Sequence, residues 1–100
     1  MQIEKFAVRL TVEKGGDMVY FSQLDLALIL TRALRRADLP LYYTQGFNPR
    51  VKMSFGRALK LGVAGQEEIT LYFTEKITAG KLQEKLSPQM PQGLTIIEIS

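Results

Sequence analysis

The chain contains no cysteine, no histidine and no tryptophan among its 100 residues. Without thiols it cannot form a disulfide, a zinc ribbon or a thiolate-held iron–sulfur cluster. Without imidazole it lacks the commonest general base and metal ligand. No apolar run reaches the 18 residues that a membrane-spanning helix needs. The opening MQIEKFAVRL has neither a continuous apolar core nor a small-residue cleavage site, so no secretory leader is expected. The expectation is a cytoplasmic protein with no membrane association. What remains, 46% hydrophobic and 23% charged side chains, suits one globular domain over residues 1–100. A core of this size hides about two-thirds of the unfolded surface, and it leaves little room for a large enclosed cleft.

The formal net charge is +3, but it is unevenly distributed: residues 1–30 sum to −1, 31–60 to +6 and 61–100 to −2. A basic middle between acidic flanks is the pattern of a surface that meets phosphates, or of a solvated face.

Apolar periodicity divides the chain. Phe6, Val8, Leu10 and Val12 alternate with Lys5, Arg9, Thr11 and Glu13, which predicts a half-buried strand over residues 3–13, broken by Lys14-Gly15-Gly16-Asp17. Ser22 to Ala37 reads as a helix, with Ser22 and Asp25 forming a capping box and Phe21 placed to staple onto Leu26. Its first turns are apolar almost all round (Leu24, Leu26, Ala27, Leu28, Ile29, Leu30), so more than one of its faces is expected to be covered. Asp38-Leu39-Pro40 stops it. Leu41-Tyr42-Tyr43 is a short extended piece, Thr44 to Arg50 a turn-rich loop, and Val51 to Phe55 a strand. A break over Gly62 to Gly65 precedes a strand at Glu68–Glu75. Thr78 caps a second helix ending at Ser87-Pro88, and Leu94–Ile99 closes as a strand. Strand, helix, strand, strand, helix, strand is the ferredoxin-like βαββαβ order of the α+β class: a four-stranded antiparallel sheet with two helices on one face.

Two groups of residues stand out chemically. Residues 42–60 interleave Tyr42, Tyr43, Phe47 and Phe55 with Arg50, Lys52, Arg57 and Lys60, joining rings that stack on bases to cations that hold phosphates. Arg32, Arg35 and Arg36 sit three and four positions apart at the end of the first helix, so one ridge of phosphate contacts is possible, as is simple stabilisation of the helix dipole. The same aromatics and cations also fit a structural role, with rings filling core gaps and cations reaching water. No carboxylates are spaced for metal binding or paired acid–base work, and neither Gly15-Gly16 nor Gly62-Val63-Ala64-Gly65 is a phosphate loop.

Four ordered blocks carry a family resemblance: Phe21-Ser22-Gln23-Leu24-Asp25-Leu26, Arg32 to Leu41, Gln45-Gly46-Phe47-Asn48-Pro49-Arg50, and Met53-Ser54-Phe55 with Leu61-Gly62-Val63. Together they resemble the radical-SAM-linked protein family, a domain of unknown function found free-standing or joined to radical-SAM proteins. Against that family's pattern the chain carries Gln23 for a histidine, Arg50-Val51 for His-Pro, and Asp38 for the glycine after the long helix. The family domain is about twice this long, so the chain resembles its N-terminal half.

The combined expectation is a non-catalytic accessory module with no cofactor of its own. It binds RNA or docks the substrate of a radical-SAM partner acting on transfer RNA, ribosomal RNA or a ribosomal component. Arg32, Arg35, Arg36, Arg50, Lys52 and Arg57 are expected to hold phosphates, and Tyr43 and Phe47 to stack. The alternatives are a protein-interaction module that docks on the radical-SAM polypeptide and, less favoured, a metal-independent endoribonuclease in which Tyr43 with Lys52 or Arg50 replaces an imidazole.

Overall fold

A computed structural model describes residues 4–56 and 65–100. The chain runs β1 (Phe6–Lys14), α1 (Gln23–Arg36), β2 (Met53–Phe55), β3 (Gln66–Phe73), α2 (Ala79–Leu86) and β4 (Leu94–Ile99), with short 3-10 turns at Gly16–Tyr20 and Ser87–Gln89. The strands form one sheet in the order β2-β3-β1-β4, and every neighbouring pair is antiparallel. This is the expected βαββαβ arrangement. The 3-10 turn after β1 had no signal beyond the break at Gly15-Gly16.

Register assigns the faces. Val8 opposes Leu71 and Leu10 opposes Ile69, while Met53 and Phe55 pair with Leu71 and Ile69 from the other side. These residues join Leu26, Leu30, Ala33 and Leu34 of α1 and Leu82 and Leu86 of α2 in one core cluster, so both helices cover the same side of the sheet. The intervening residues Arg9, Thr70 and Ser54 fall on the other side, because successive side chains of a strand alternate. Among the described residues no helix covers that second face, and no helix is long and apolar enough to cross a membrane.

Local chemistry holds α1 at both ends. The Ser22 hydroxyl accepts from the Asp25 N–H at 3.2 Å, and Asp25 Oδ2 accepts from the Ser22 N–H at 3.1 Å, which completes the capping box. Beyond the C-terminal end, Asp38 adopts φ 57°, the left-handed conformation that glycine takes without a Cβ penalty. Beneath the N-terminal end, Lys14 Nζ donates to Glu67 Oε2 at 3.2 Å in a mostly buried pair, and Gln23 Nε2 donates to Glu67 Oε1 at 3.4 Å. Gln23 therefore helps fasten α1 to β3.

Coverage of α1 departs from expectation. One line of the helix, Leu26, Leu30, Ala33 and Ala37, is buried, but Leu24 and Leu28 on the opposite line remain 71% and 54% exposed. The sheet lies on one side only, and no described segment reaches the other.

Two stability measurements check this description. Leu30→Ala should cost about 2–5 kcal/mol in urea unfolding, and Leu28→Ala should stay within about 0.5 kcal/mol of the parent. Asp38→Gly should raise the urea midpoint by the equivalent of about 0.5–1 kcal/mol at unchanged m-value, because it relieves the left-handed strain; a lower midpoint would show that the Asp38 side chain, not its backbone, matters there.

Candidate nucleic-acid interface

The uncovered face of the sheet carries a cluster assembled from four separate segments. Residues 41–43 wedge between the end of β3 and residues 51–52: Leu41 bridges Phe73, Tyr43 bridges Val51, and the Tyr42 N–H donates to the Tyr72 carbonyl at 3.1 Å. Leu41 packs toward the core, so alternation sends Tyr42 to the uncovered face beside Tyr72. Lys5 lies 5.8 Å from the centre of the Tyr42 ring and 5.7 Å from that of Tyr72, and Lys52 lies 5.3 Å from the Tyr72 ring on its other flank. The Tyr72 hydroxyl stands 3.4 Å from Ser54 Oγ. Each cation falls within the roughly 6 Å over which an aromatic ring attracts a positive charge.

Beside this pair the surface dips. Ala7 pairs directly with Tyr72, and its small side chain borders a shallow cavity of about 250 Å³ lined by Ala7, Arg9, Thr70 and Ser100. Arg9 adds a third cation on the same face, held in register by reciprocal backbone bonds with Ser100 at 2.8 Å. Toward the other end of the strands the sign reverses: Glu68 and Glu98 both pair with Thr11, and Glu13 follows. The basic and aromatic surface is therefore confined to one end, an extent comparable to the two or three bases that sheet-face RNA readers stack.

Among the described residues, Lys52 is the one expected site residue that joins the tyrosine cluster. Arg35 lies 6.0 Å from the Tyr43 ring on the helix side of the sheet edge. Arg36 is occupied elsewhere: its Nε donates to Gln89 Oε1 at 3.1 Å and its Nη2 to the Gln89 carbonyl at 3.0 Å, tying α1 to the 3-10 turn after α2. Both bonds hold the Arg36 guanidinium against that turn and leave its Nη1 without one. Arg32 is exposed on α1. Arg57 and Lys60 lie outside the described residues, as does all of Leu61-Gly62-Val63.

The Thr44–Arg50 loop closes on itself. The Thr44 N–H donates to the Arg50 carbonyl at 2.8 Å, and the Arg50 N–H donates to Thr44 Oγ1 at 3.0 Å. Gly46 at φ 127° makes the turn, a conformation that side chains rarely adopt. The ring of Phe47 stands free in solvent, and the inner side of the loop borders a cavity of about 280 Å³ lined by residues that include Tyr42, Tyr43, Gln45 and Thr74. Phe47 and Arg50 thus sit on a loop at the sheet edge, apart from the paired rings.

Sequence reading did not single out Lys5, Arg9 or Tyr72, and it left Tyr42 among the interleaved aromatics, open between stacking and filling a gap. Their signal is faint: each occupies the polar phase of an alternating strand, and only the β1–β3 register shows that they converge. Among the described residues no group of three or more His, Cys, Asp or Glu side chains could hold a metal ion.

A family model described as "Uncharacterized protein conserved in bacteria (DUF2344)" matches residues 7–100. No curated protein and no solved structure matches the chain.

The arginine assignments are checked by denaturation. Arg36→Ala should lower stability by about 1 kcal/mol through loss of both bonds to Gln89, while Arg32→Ala should leave the urea midpoint unchanged within error.

Proposed function

Because the chain belongs to the bacterial protein family that matches residues 7–100, a family whose description assigns no activity, we propose its role from the site itself: a non-catalytic module that binds short single-stranded RNA on its uncovered sheet face. The observation that carries this reading is the pair Tyr42 and Tyr72, side by side and flanked by Lys5 and Lys52 within 5.8 Å of the rings. Rings on an open sheet offer stacking platforms to unpaired bases. Cations at their margins meet the phosphates on either side. Duplex RNA presents its backbone rather than its base faces, so paired rings favour single strands. Arg9 and the dip beside Ala7 extend the surface along β1, and Glu68 and Glu98 limit it.

The blocks Phe21–Leu26, Arg32–Leu41 and Gln45–Arg50 supply the second part of the proposal. Their resemblance to the radical-SAM-linked proteins supports a cytoplasmic partnership with a radical-SAM protein that acts on transfer or ribosomal RNA. The partner brings the cluster and the chemistry, and this chain contributes substrate binding with no cofactor of its own.

Fluorescence anisotropy with a labelled single-stranded RNA of about eight nucleotides tests the reading. Affinity should fall with salt at a log–log slope near −2, on the basis of about −0.7 for each phosphate contact made by Lys5, Arg9 and Lys52. Tyr72→Ala should weaken binding by about 5- to 150-fold, the effect of losing 1–3 kcal/mol of stacking. Lys52→Ala should flatten the slope by about 0.7, and Arg36→Ala should change neither. Unaltered affinity in a Tyr42→Ala/Tyr72→Ala double variant, or equal competition by duplex RNA, would exclude this face as the site.

A further inference from the structure

We propose that the outer line of α1 is a self-association surface, on which a second copy of this chain docks with its own α1 reversed end to end. The proposal is independent of RNA binding, since α1 lies on the opposite side of the sheet from Tyr42 and Tyr72.

The surface is apolar where a soluble helix is ordinarily polar. Leu24 and Leu28 are one turn apart on the line opposite the buried stripe, and Val19, Tyr20 and Phe21, immediately before the helix, are exposed as well. Single exposed leucines are common on protein surfaces, but five exposed large apolar residues within ten positions, Val19 to Leu28, mark an interaction site. The capping box already fixes the helix start, so these leucines are not needed to form the helix.

Charge selects the occupant. The N-terminal part of the surface carries Asp17 and Asp25, and the C-terminal part carries Arg32 and Arg35. Asp25 and Arg32 are two turns apart and flank the leucine line on the same side. A surface that is acidic at one end, apolar in the middle and basic at the other complements its own reverse. A two-fold axis perpendicular to the helices therefore gives each copy the same contacts. Centred near Leu28, that arrangement brings the two Leu28 side chains together and faces each Asp25 with the other copy's Arg32. Each Leu24 then lies along the aliphatic stem of the other copy's Arg32. Both bonds from Ser22 to the Asp25 carboxylate use Oδ2, which leaves Oδ1 for the arginine. Arg36 is held by Gln89 and takes no part.

The apolar area is small compared with that of an obligate dimer, so the association expected is weak and reversible, with a dissociation constant on the order of 10–100 µM. Sedimentation equilibrium of the intact chain from about 5 to 500 µM should show a monomer–dimer equilibrium that weakens with salt. Leu28→Glu should abolish the dimer without lowering the melting temperature, because this side chain does not touch the core. Arg32→Glu should weaken it at least about tenfold. The lack of cysteine permits a geometric check. Leu28→Cys should form a disulfide-linked dimer under mild oxidation far faster than Lys81→Cys on the exposed side of α2. A chain that stays monomeric to the highest concentration overturns the proposal and leaves the surface to a different polypeptide. So does a dimer that survives Leu28→Glu, or equal cross-linking of the two cysteine variants. RNA affinity should be unchanged in Leu28→Glu, which keeps the two readings separable.

Discussion

The antiparallel register between β1 and β3 is the constraint on which the rest depends. Setting Leu10 against Ile69 and Val8 against Leu71 places all four side chains under the helices. The same register sends Arg9, Thr70 and Tyr72 to the opposite face. Alternation has a period of two, so a slip of one residue would exchange the faces and bury charge in the core. A long row of buried aliphatic side chains makes such a slip too costly to be populated. The core and the candidate RNA surface are therefore two results of one pairing, and neither can shift without the other.

The helices are fixed by different means. At α1, the buried Leu26, Leu30, Ala33 and Leu34 are joined by polar contacts: Ser22 and Asp25 close the start, the Lys14–Glu67–Gln23 cluster links that end to β1 and β3, and Arg36 ties the far end to Gln89. Asp38 adopts its left-handed conformation because the chain must turn directly from the helix into Leu39-Pro40, and Lys85 of α2 donates to the Asp38 carbonyl at 3.0 Å. The shorter α2 relies on the Thr78 cap and two buried leucines, Leu82 and Leu86. With its position so determined, α1 can present leucines to solvent without loosening the fold.

The two surfaces differ in chemistry and in place. One face of the sheet is polar and partly aromatic, and it is the surface on which RNA binding is proposed. The far side of the helical layer is apolar with charge at its ends, suited to another helix. Because the sheet and its core lie between them, occupation of one does not obstruct the other. An RNA-binding module presented in duplicate would gain effective concentration on a longer strand with no new contact to any base.

The order of elements, both helix caps and the placing of both helices on one face of the sheet were legible from sequence, because each follows from local pattern: alternation, a capping box, a proline stop. Element ends shifted by a few residues, as β1 did from 3–13 to Phe6–Lys14, since pairing partners rather than propensity set where a strand stops. The candidate cluster was not legible. Interleaved aromatics and cations between residues 42 and 60 drew attention to one continuous segment, yet alternation sends Tyr42 and Tyr43 to opposite sides of the edge and separates Lys52 from the arginines of α1. The cluster that does form takes Lys5 from the approach to β1, Tyr42 from the wedge, Lys52 from the approach to β2 and Tyr72 from β3. Sequence by itself determined which residues prefer helix, strand or turn, because those preferences act over a few neighbouring positions. Only the tertiary structure decided which side chains share a surface, because contacts between positions 5, 42, 52 and 72 exist only once the strands have paired in register.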